Sequence, residues 1–358
     1  MNIVIAAGGT AGHVNPAVAV ARSLAEHSVT FIGTATGLEA TVVPDSGFAL
    51  DTLDIAGFDR ARPLGLPGVG VKALRAIGAA RRVLRSRGAD VVLGMGGYVS
   101  LPVCVAARSR SIPVVLHEQN IVLGLANKVS KPFARHIGVS FEETLDDVGA
   151  RGVFTGNPVA PEIVELDRTA SRAAGYVRFD LDPARKTVLV FGGSLGARTL
   201  NRAAPALAQR WRSRSDIQVL HISGRSPASK AEGEVDLGVG YRAIEYTDAM
   251  AEVYAVADVA ICRGGATTVA ELSVVGLPSV IVPYPHHRDQ QQLRHAEILE
   301  RAGAARVLAD ADATPEGLGE LVESMLAGGQ LETMAAAAKR LGKPDAAERL
   351  AELVSSAG

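Results

Sequence analysis

The sequence predicts an α/β protein of two doubly wound parallel-sheet domains, and three observations lead there. Short runs of Val, Ile and Leu alternate with segments of helical periodicity, the pattern of successive βαβ units. A hydrophobic content of 47% with 38 glycines and few aromatics suits strands buried on both faces of a parallel sheet. The opening theme of strand, glycine turn and helix returns near residue 187, in a chain of 358 residues that is too long for one comfortable core.

Taken in order, Ile3 to Ala6 reads as a buried strand, and Gly8-Gly9-Thr10-Ala11-Gly12-His13 as a glycine turn opening a helix that runs to about Glu26. Val29 to Ile32 is the next strand. Val91 to Leu93, Gly94 to Ser100 and Leu101 to Ala107 form a further strand, turn and helix, and the strand Val114 to Leu116 ends in His117-Glu118-Gln119-Asn120. At Gly156-Asn157-Pro158 the pattern pauses, and a polar stretch rich in Arg and Asp runs to Lys186. Thr187 to Phe191 restarts it with the turn Gly192 to Gly196, and strands at Val219 to Ile222, Val259 to Cys262 and Ser279 to Val282 complete a second sheet. The expected domains are therefore 1–158 and 159–343, two Rossmann-like units facing a cleft, with the helical tail 344–358 packing back on the first.

Composition excludes several classes. A net charge of −1 argues against a nucleic-acid binder held by bulk electrostatics. Residues 1–158 carry 15 Lys and Arg against 12 Asp and Glu, so the basic half is the N-terminal one. Cys104 and Cys262 lie in apolar surroundings and fit small core residues in a reducing compartment. Met1 to Ala6 lacks a basic leader, and the uncharged run Val91 to Ala107 is broken by three glycines and Pro102. Neither a signal peptide nor a membrane span is expected, and a cytosolic location is.

Chemistry is most legible between Cys262 and Gln292. There a buried strand runs into Gly264-Gly265-Ala266-Thr267-Thr268 and then a helix, an arrangement whose unpaired backbone N–H groups suit a phosphate. Glu271, one turn further on, is placed to accept hydrogen bonds from the vicinal hydroxyls of a ribose. After the next strand, Pro283-Tyr284-Pro285 delivers a polar cluster, His286 to Gln292, whose amides suit sugar hydroxyls. Singly, each feature also fits a turn, a surface carboxylate or a solvated helix start. Together they sit beyond the carboxyl ends of successive strands, where open α/β sheets bind ligands.

No Gly-Lys-Ser/Thr follows a glycine loop, so no triphosphate P-loop is present. Gly68 to Ala73 follows a proline rather than a strand and is discounted as a dinucleotide motif. Asp180-Leu181-Asp182 and Asp310-Ala311-Asp312 have the look of paired metal carboxylates, but each precedes a proline and reads as a helix cap. No metal ion and no cofactor are expected.

The motifs GGTAGHVNP (8–16), GMGGYVS (94–100), LHEQN (116–120), GGSLGA (192–197), CRGGATTVAEL (262–272) and DQQQ (289–292), in this order, closely resemble the MurG family of peptidoglycan glycosyltransferases over nearly the whole chain. The resemblance implies the GT-B fold, UDP-N-acetylglucosamine as donor, undecaprenyl-linked lipid I as acceptor, and lipid II as product at the cytoplasmic face of the cell membrane. Carried over, it puts Ser194 near the donor diphosphate and Tyr246 and Thr247 beside the uracil. Ala266, Thr267 and Thr268 line the nucleotide, Glu271 takes the ribose, and Gln291 and Gln292 hold the N-acetylglucosamine. Thr10, Ala11, Gly12 and Asn120 reach the donor from the N-terminal domain, while Gly9, Gly96, Gly97 and Tyr98 belong to loops that accept the lipid diphosphate. Two departures stand out: Ala160 where the family commonly has Arg, and Leu101 where it has Gly.

An inverting transfer needs a base beside the acceptor hydroxyl and positive charge beside the leaving diphosphate. His13 is the candidate base because an imidazole titrates near neutrality, a loop-capping histidine being the alternative. Glu118 is the reserve. Competing readings are a GT-B transferase with another acceptor, a UDP-sugar epimerase, and a non-catalytic UDP-sugar-binding protein. Residues 58–87 carry eight basic residues against the single acid Asp59, around the apolar Pro63 to Pro67 and a helical face of Leu74, Ile77 and Leu84. That combination suits peripheral attachment to an anionic membrane surface, or else an ordinary crossover helix with its apolar face on the sheet.

Overall fold

A computed structural model describes residues 1–55, 66–226, 240–286 and 289–358, with the side chains of 66–73 left out of the description. The chain divides into two compact units, Met1–Ala160 with Lys343–Gly358, and Pro161–Gly342.

Among the described residues the first unit holds strands β1 (Asn2–Ala6), β2 (Ser28–Gly33), β3 (Ala49–Thr52), β4 (Val91–Gly94), β5 (Val114–Glu118), β6 (His136–Val139) and β7 (Gly152–Phe154). They form one parallel sheet in the order β3-β2-β1-β4-β5-β6-β7. The connecting helices are α1 (Ala11–Ser23), α2 (Glu39–Asp45), α3 (Leu66–Ser86), α4 (Gly97–Arg108), α5 (Leu125–Ser130) and α6 (Leu145–Val148). Successive strand residues point to opposite faces, so Ile3, Ile5 and Leu93 pack with Val14, Ala17 and Val20 on one side. Val4, Ala6 and Val92 pack with Leu84, Val99 and Val103 on the other. Burial on both faces is why these strands read as unbroken apolar runs.

The second unit repeats the plan with β8 (Lys186–Phe191), β9 (Ile217–Ile222), β10 (Tyr241–Ile244), β11 (Val259–Cys262), β12 (Ser279–Ile281) and β13 (Ala305–Val307). Their order is β10-β9-β8-β11-β12-β13, again parallel. Its helices are α7 (Pro161–Val164), α8 (Arg168–Arg178), α9 (Arg198–Arg210), α10 (Met250–Val256), α11 (Ala266–Val275), α12 (Gln291–Arg301), α13 (Pro315–Ala327) and α14 (Gln330–Leu341). The last helix, α15 (Ala346–Ser355), belongs to the first unit: Leu350, Ala351 and Val354 are buried with Ile3 and Val14, and Arg135 Nη1 donates to the Ala357 carbonyl at 2.9 Å.

The doubly wound α/β class is as the sequence predicts, but the polar stretch after Pro158 is no pause. It contains α8, whose N-cap Asp167 accepts from the N–H groups of Thr169 and Ala170. Gly175 lets that helix press on α10, because a Cβ there would stand 2.6 Å from Val256. Strand order reverses between β1 and β4 in one sheet and between β8 and β11 in the other. Those two switch points are where such sheets bind ligands.

Candidate active site

In the first unit the loops after β1 and β4 meet at the switch point. Gly96 and Gly97 have φ of 85° and 74°, a left-handed backbone that favours glycine, and a Cβ on Gly96 would stand 3.5 Å from His13 Nε2. A Cβ on Gly97 would meet the Gly8 carbonyl oxygen at 3.0 Å, so bare backbone lets the loops close on each other. Helix α1 starts after Thr10 and α4 after Gly96, neither with a side-chain cap, which leaves the first N–H groups of both as anion donors. His13 lies in the first turn of α1, with Nδ1 3.1 Å from the Thr10 hydroxyl. Burial lowers the pKa of its imidazole, and the positive end of α1 acts in the same sense, so the ring is neutral at pH 7. Tyr98 lies over Gly9, its ring 3.3 Å from where a Cβ would be.

Two neighbours of these loops take forms the sequence did not suggest. Gly9, expected among the acceptor contacts, gives its N–H to Glu39 Oε2 at 3.0 Å. Glu118, the reserve base, is buried and spends both oxygens on the loop that follows β5 and on helix α5. Its Oε1 accepts from Asn120 N and Nδ2 at 3.0 and 3.2 Å, and its Oε2 from Gly124 N and Asn127 Nδ2 at 2.8 and 2.9 Å. Burial raises its pKa while these four donors pull it down. The arrangement orients Asn120 and Asn127 and leaves no oxygen turned to a substrate hydroxyl, which fits a positioning role better than a base. His117 is fully buried between the Gly156 carbonyl and the Gln119 amide, at 3.1 and 3.0 Å, and desolvation takes its pKa to about 4.

In the second unit the loops after β8 and β11 flank the switch point. A Cβ on Gly192 would collide with Ala197 N at 2.3 Å, and one on Gly224 with Gly196 N at 2.1 Å, so the turn Gly192 to Gly196 packs backbone on backbone. The exposed Ser194 accepts from Arg225 N at 3.0 Å through its carbonyl, and the Arg225 guanidinium stacks 3.6 Å over the Tyr246 ring. Thr247 Oγ1 is turned to its own loop, accepting from Ala249 N at 3.1 Å. Helices α9 and α11 start after Ala197 and Gly265, also without side-chain caps, and aim their N-termini from adjacent strands.

Ala266, Thr267 and Thr268 are the first three residues of α11, and Glu271 follows on the same helix. Tyr254, wholly buried on α10, donates to Glu271 Oε2 at 2.7 Å. Burial raises the Glu271 pKa to about 7, against the lowering effect of that bond. Gln292 Oε1 accepts from Tyr284 N at 2.9 Å, and a Cβ on Gly264 would stand 2.4 Å from the Gln292 carbonyl oxygen, so the glutamine turn lies against the glycine turn. Gln291 opens α12 after Gln290, which has a left-handed φ of 47°.

The aspartate pairs are not helix caps. Asp310 accepts from Arg263 at 2.5 Å and Thr199 at 3.1 Å, tying the start of α9 to the end of β11, and Thr314 caps α13 instead. Asp182 accepts from Ala184 N in a turn and Asp180 pairs with Arg242. In the basic stretch, Arg60, Arg62, Pro63 to Gly65 and the side chains of Leu66 and Lys72 lie outside the described residues. Leu84 is buried and Ile77 packs against the same core, so this end of α3 is a crossover helix. Leu74 stays 70% exposed, as do Leu125 at 63% and Val129 at 47% on α5. Among the described residues no helix is long and apolar enough to cross a membrane.

Comparison with known proteins agrees with this geometry. Residues 3–139 match the Glycosyltransferase family 28 N-terminal domain and 187–350 its C-terminal domain. The chain is 41% identical, over its whole length and 98% of the relative, to a UDP-N-acetylglucosamine--N-acetylmuramyl-(pentapeptide) pyrophosphoryl-undecaprenol N-acetylglucosamine transferase of Nocardioides sp.. Among solved structures, MurG of Acinetobacter baumannii matches with a TM-score of 0.75 at 29% identity, covering 99% of both chains. A UDP-GlcNAc 2-epimerase from Neisseria meningitidis reaches 0.70 at 15% identity, covering 99% of this chain and 100% of its own, a likeness of fold alone. The chain therefore belongs to glycosyltransferase family 28 and, within it, to the MurG family.

Proposed function

We propose that this protein transfers N-acetylglucosamine from UDP-N-acetylglucosamine to the 4-hydroxyl of the muramoyl sugar of lipid I, with inversion, giving the β-1,4 linkage of lipid II. The observation that carries the reading is full-length identity of 41% to a protein named for that transfer. The N-termini of α9 and α11 would hold the diphosphate, with Ser194, Ala266, Thr267 and Thr268 around it. Tyr246 and Thr247 would border the uracil, Glu271 would accept from the ribose, and Gln291 and Gln292 from the sugar. As the glycosidic bond breaks, its electron pair passes to the diphosphate, whose growing charge the helix N-termini meet.

In the first unit the N-termini of α1 and α4, with Gly96, Gly97 and Tyr98, would take the acceptor diphosphate. Thr10, Ala11, Gly12 and Asn120 are the residues of the first unit that the family resemblance assigns to the donor. In the tautomer that donates Nδ1–H to the Thr10 hydroxyl, His13 has its Nε2 lone pair available for the proton of the attacking hydroxyl.

The acceptor is lipid-borne, and an anionic membrane surface at the cytoplasmic face is the partner proposed for the first unit. Leu74 on α3 and Leu125 and Val129 on α5 are exposed, on helices that also carry the exposed Arg75, Arg81, Arg82, Arg85 and Lys128. Exposed apolar residues on basic helices suit the headgroup boundary. The deciding experiment supplies purified protein with UDP-N-acetylglucosamine and a short-chain lipid I analogue. Disaccharide-lipid is the expected product. Formation of UDP-N-acetylmannosamine alone would mean an epimerase, and donor binding without product a silent binder; either refutes the proposal.

A further inference from the structure

Glu39 opens α2, far from any motif, yet its carboxylate lies fully buried beneath the turn that follows β1. Oε2 accepts from Gly9 N at 3.0 Å; Oε1 accepts from Thr34 N at 2.9 Å and the Thr34 hydroxyl at 2.7 Å. Three glycines make room for it: a Cβ on Gly8, Gly33 or Gly37 would stand 2.6, 2.5 or 2.2 Å from its atoms. All three donors are neutral. A buried carboxylate without a cation is an expensive way to fill space, so an acceptor is needed at that spot. Burial alone would raise its pKa, but the hydrogen bonds from Thr34 and from Gly9 N outweigh it and keep the group ionised.

We infer that Glu39 is a positioning residue of the transfer reaction, fixing the Gly8–Thr10 turn and, through Thr10, the ring of His13. The inference rests on the reading of His13 as the base. Holding the Gly9 N–H fixes the residue before Thr10, and Thr10 in turn bonds His13 twice, by its carbonyl to His13 N at 3.0 Å and by its hydroxyl to Nδ1 at 3.1 Å. The hydroxyl can accept from Nδ1–H or donate to the Nδ1 lone pair, and in either case it fixes the orientation of the ring. A turn released from Glu39 leaves the position and orientation of the His13 ring undetermined.

The test is Glu39→Gln, in which an NH2 must face either Gly9 N or Thr34 N, donor against donor. Turnover should fall about ten- to a hundredfold, as for a base displaced by a fraction of an ångström to an ångström. The KM for UDP-N-acetylglucosamine should change much less than turnover, because Thr10 to Gly12 are only part of the donor contacts, and the His13 ring signals should shift and broaden as the ring loses its fixed orientation. Thr34→Val, which removes one hydrogen bond to Oε1 and leaves Gly9 held, should lower Tm and keep turnover. If Glu39→Gln does not fold, Gly37→Ala pushes on Oε2 with the carboxylate still present and should reproduce the loss. Wild-type turnover and His13 spectrum in Glu39→Gln or Gly37→Ala would overturn the inference, as would an equal loss in Thr34→Val. His13→Ala run in parallel separates the two ideas: full turnover there sinks the base assignment, while the His13 spectrum of Glu39→Gln still decides the role of Glu39.

Discussion

Use of the donor should depend on pH through Glu271. Its carboxylate has a pKa raised to about 7 by burial, with Tyr254 donating to one oxygen. The ribose hydroxyls are donors and need the ionised form, so protonation weakens binding. At one pH unit below the pKa only about a tenth of the protein is ionised, and the KM for UDP-N-acetylglucosamine should stand roughly tenfold above its alkaline plateau. The donor diphosphate, esterified at both ends, does not titrate in this range. Steady-state kinetics in the donor between about pH 6 and pH 8.5 read this directly. In Glu271→Gln the limb should vanish and the KM rise roughly ten- to a hundredfold, the worth of a hydrogen bond to a charged group. In Tyr254→Phe the limb should move to higher pH, because the lost bond favoured the ionised form. A donor KM that is flat across the range in the wild type, or a slope that survives in Glu271→Gln, would refute the assignment of Glu271 to the ribose.

Three further outcomes are expected. His13→Ala should lower kcat by about a hundredfold or more with little change in the donor KM, as loss of a general base does, and chelation of divalent ions should leave wild-type turnover in place. Reversal of Arg60, Arg62, Arg81 and Arg85 to Glu should abolish salt-sensitive binding to anionic liposomes and spare activity on a soluble acceptor analogue; undiminished flotation with liposomes would exclude this surface. Folding stability should fall as pH drops from about 6.5 to 4. His117 and His221 are buried neutral with pKa values of about 4, so the unfolded chain binds protons first in that window, and each contributes on the order of 3 kcal/mol. His117 lies in the first unit, while in the second the loss from His221 is offset by Glu271, whose raised pKa makes the folded state the first to bind its proton in the same window. Urea unfolding should therefore show the first unit weakening more than the second; a first unit unchanged down to pH 5 would contradict the buried neutral state of His117.

What the sequence made legible was whatever leaves a local period. Buried strands such as Ile3 to Ala6 and Val259 to Cys262 stand out as apolar runs, and the glycine turns after them mark the switch points. Edge strands β3, β10 and β13 are three or four residues long and partly exposed, so no such run forms. Helix α8 hides because its many Arg residues are spent on tertiary partners, Arg172 on Asp258 and Arg178 on Glu252. Residues that act by long-range pairing leave no pattern at all. Glu39 reaches Gly9 across 30 positions and Tyr254 reaches Glu271 across 17, and each looks in sequence like a helix-start charge or an apolar filler. The same holds for Asp310, whose partners Arg263 and Thr199 are distant in the chain.

The return of α15 to the first unit bears on the order in which the protein is made. The core cluster of the second unit is built from residues within Pro161–Gly342, so that core can close as soon as its own segment has left the ribosome. The first unit opens with β1 but lacks Leu350, Ala351 and Val354 until the final helix emerges. The half synthesised first is thus the half completed last, its α1 face uncovered throughout synthesis of the other. A chain ending at Gly342 should therefore keep donor binding in its second unit while its first unit aggregates or is digested.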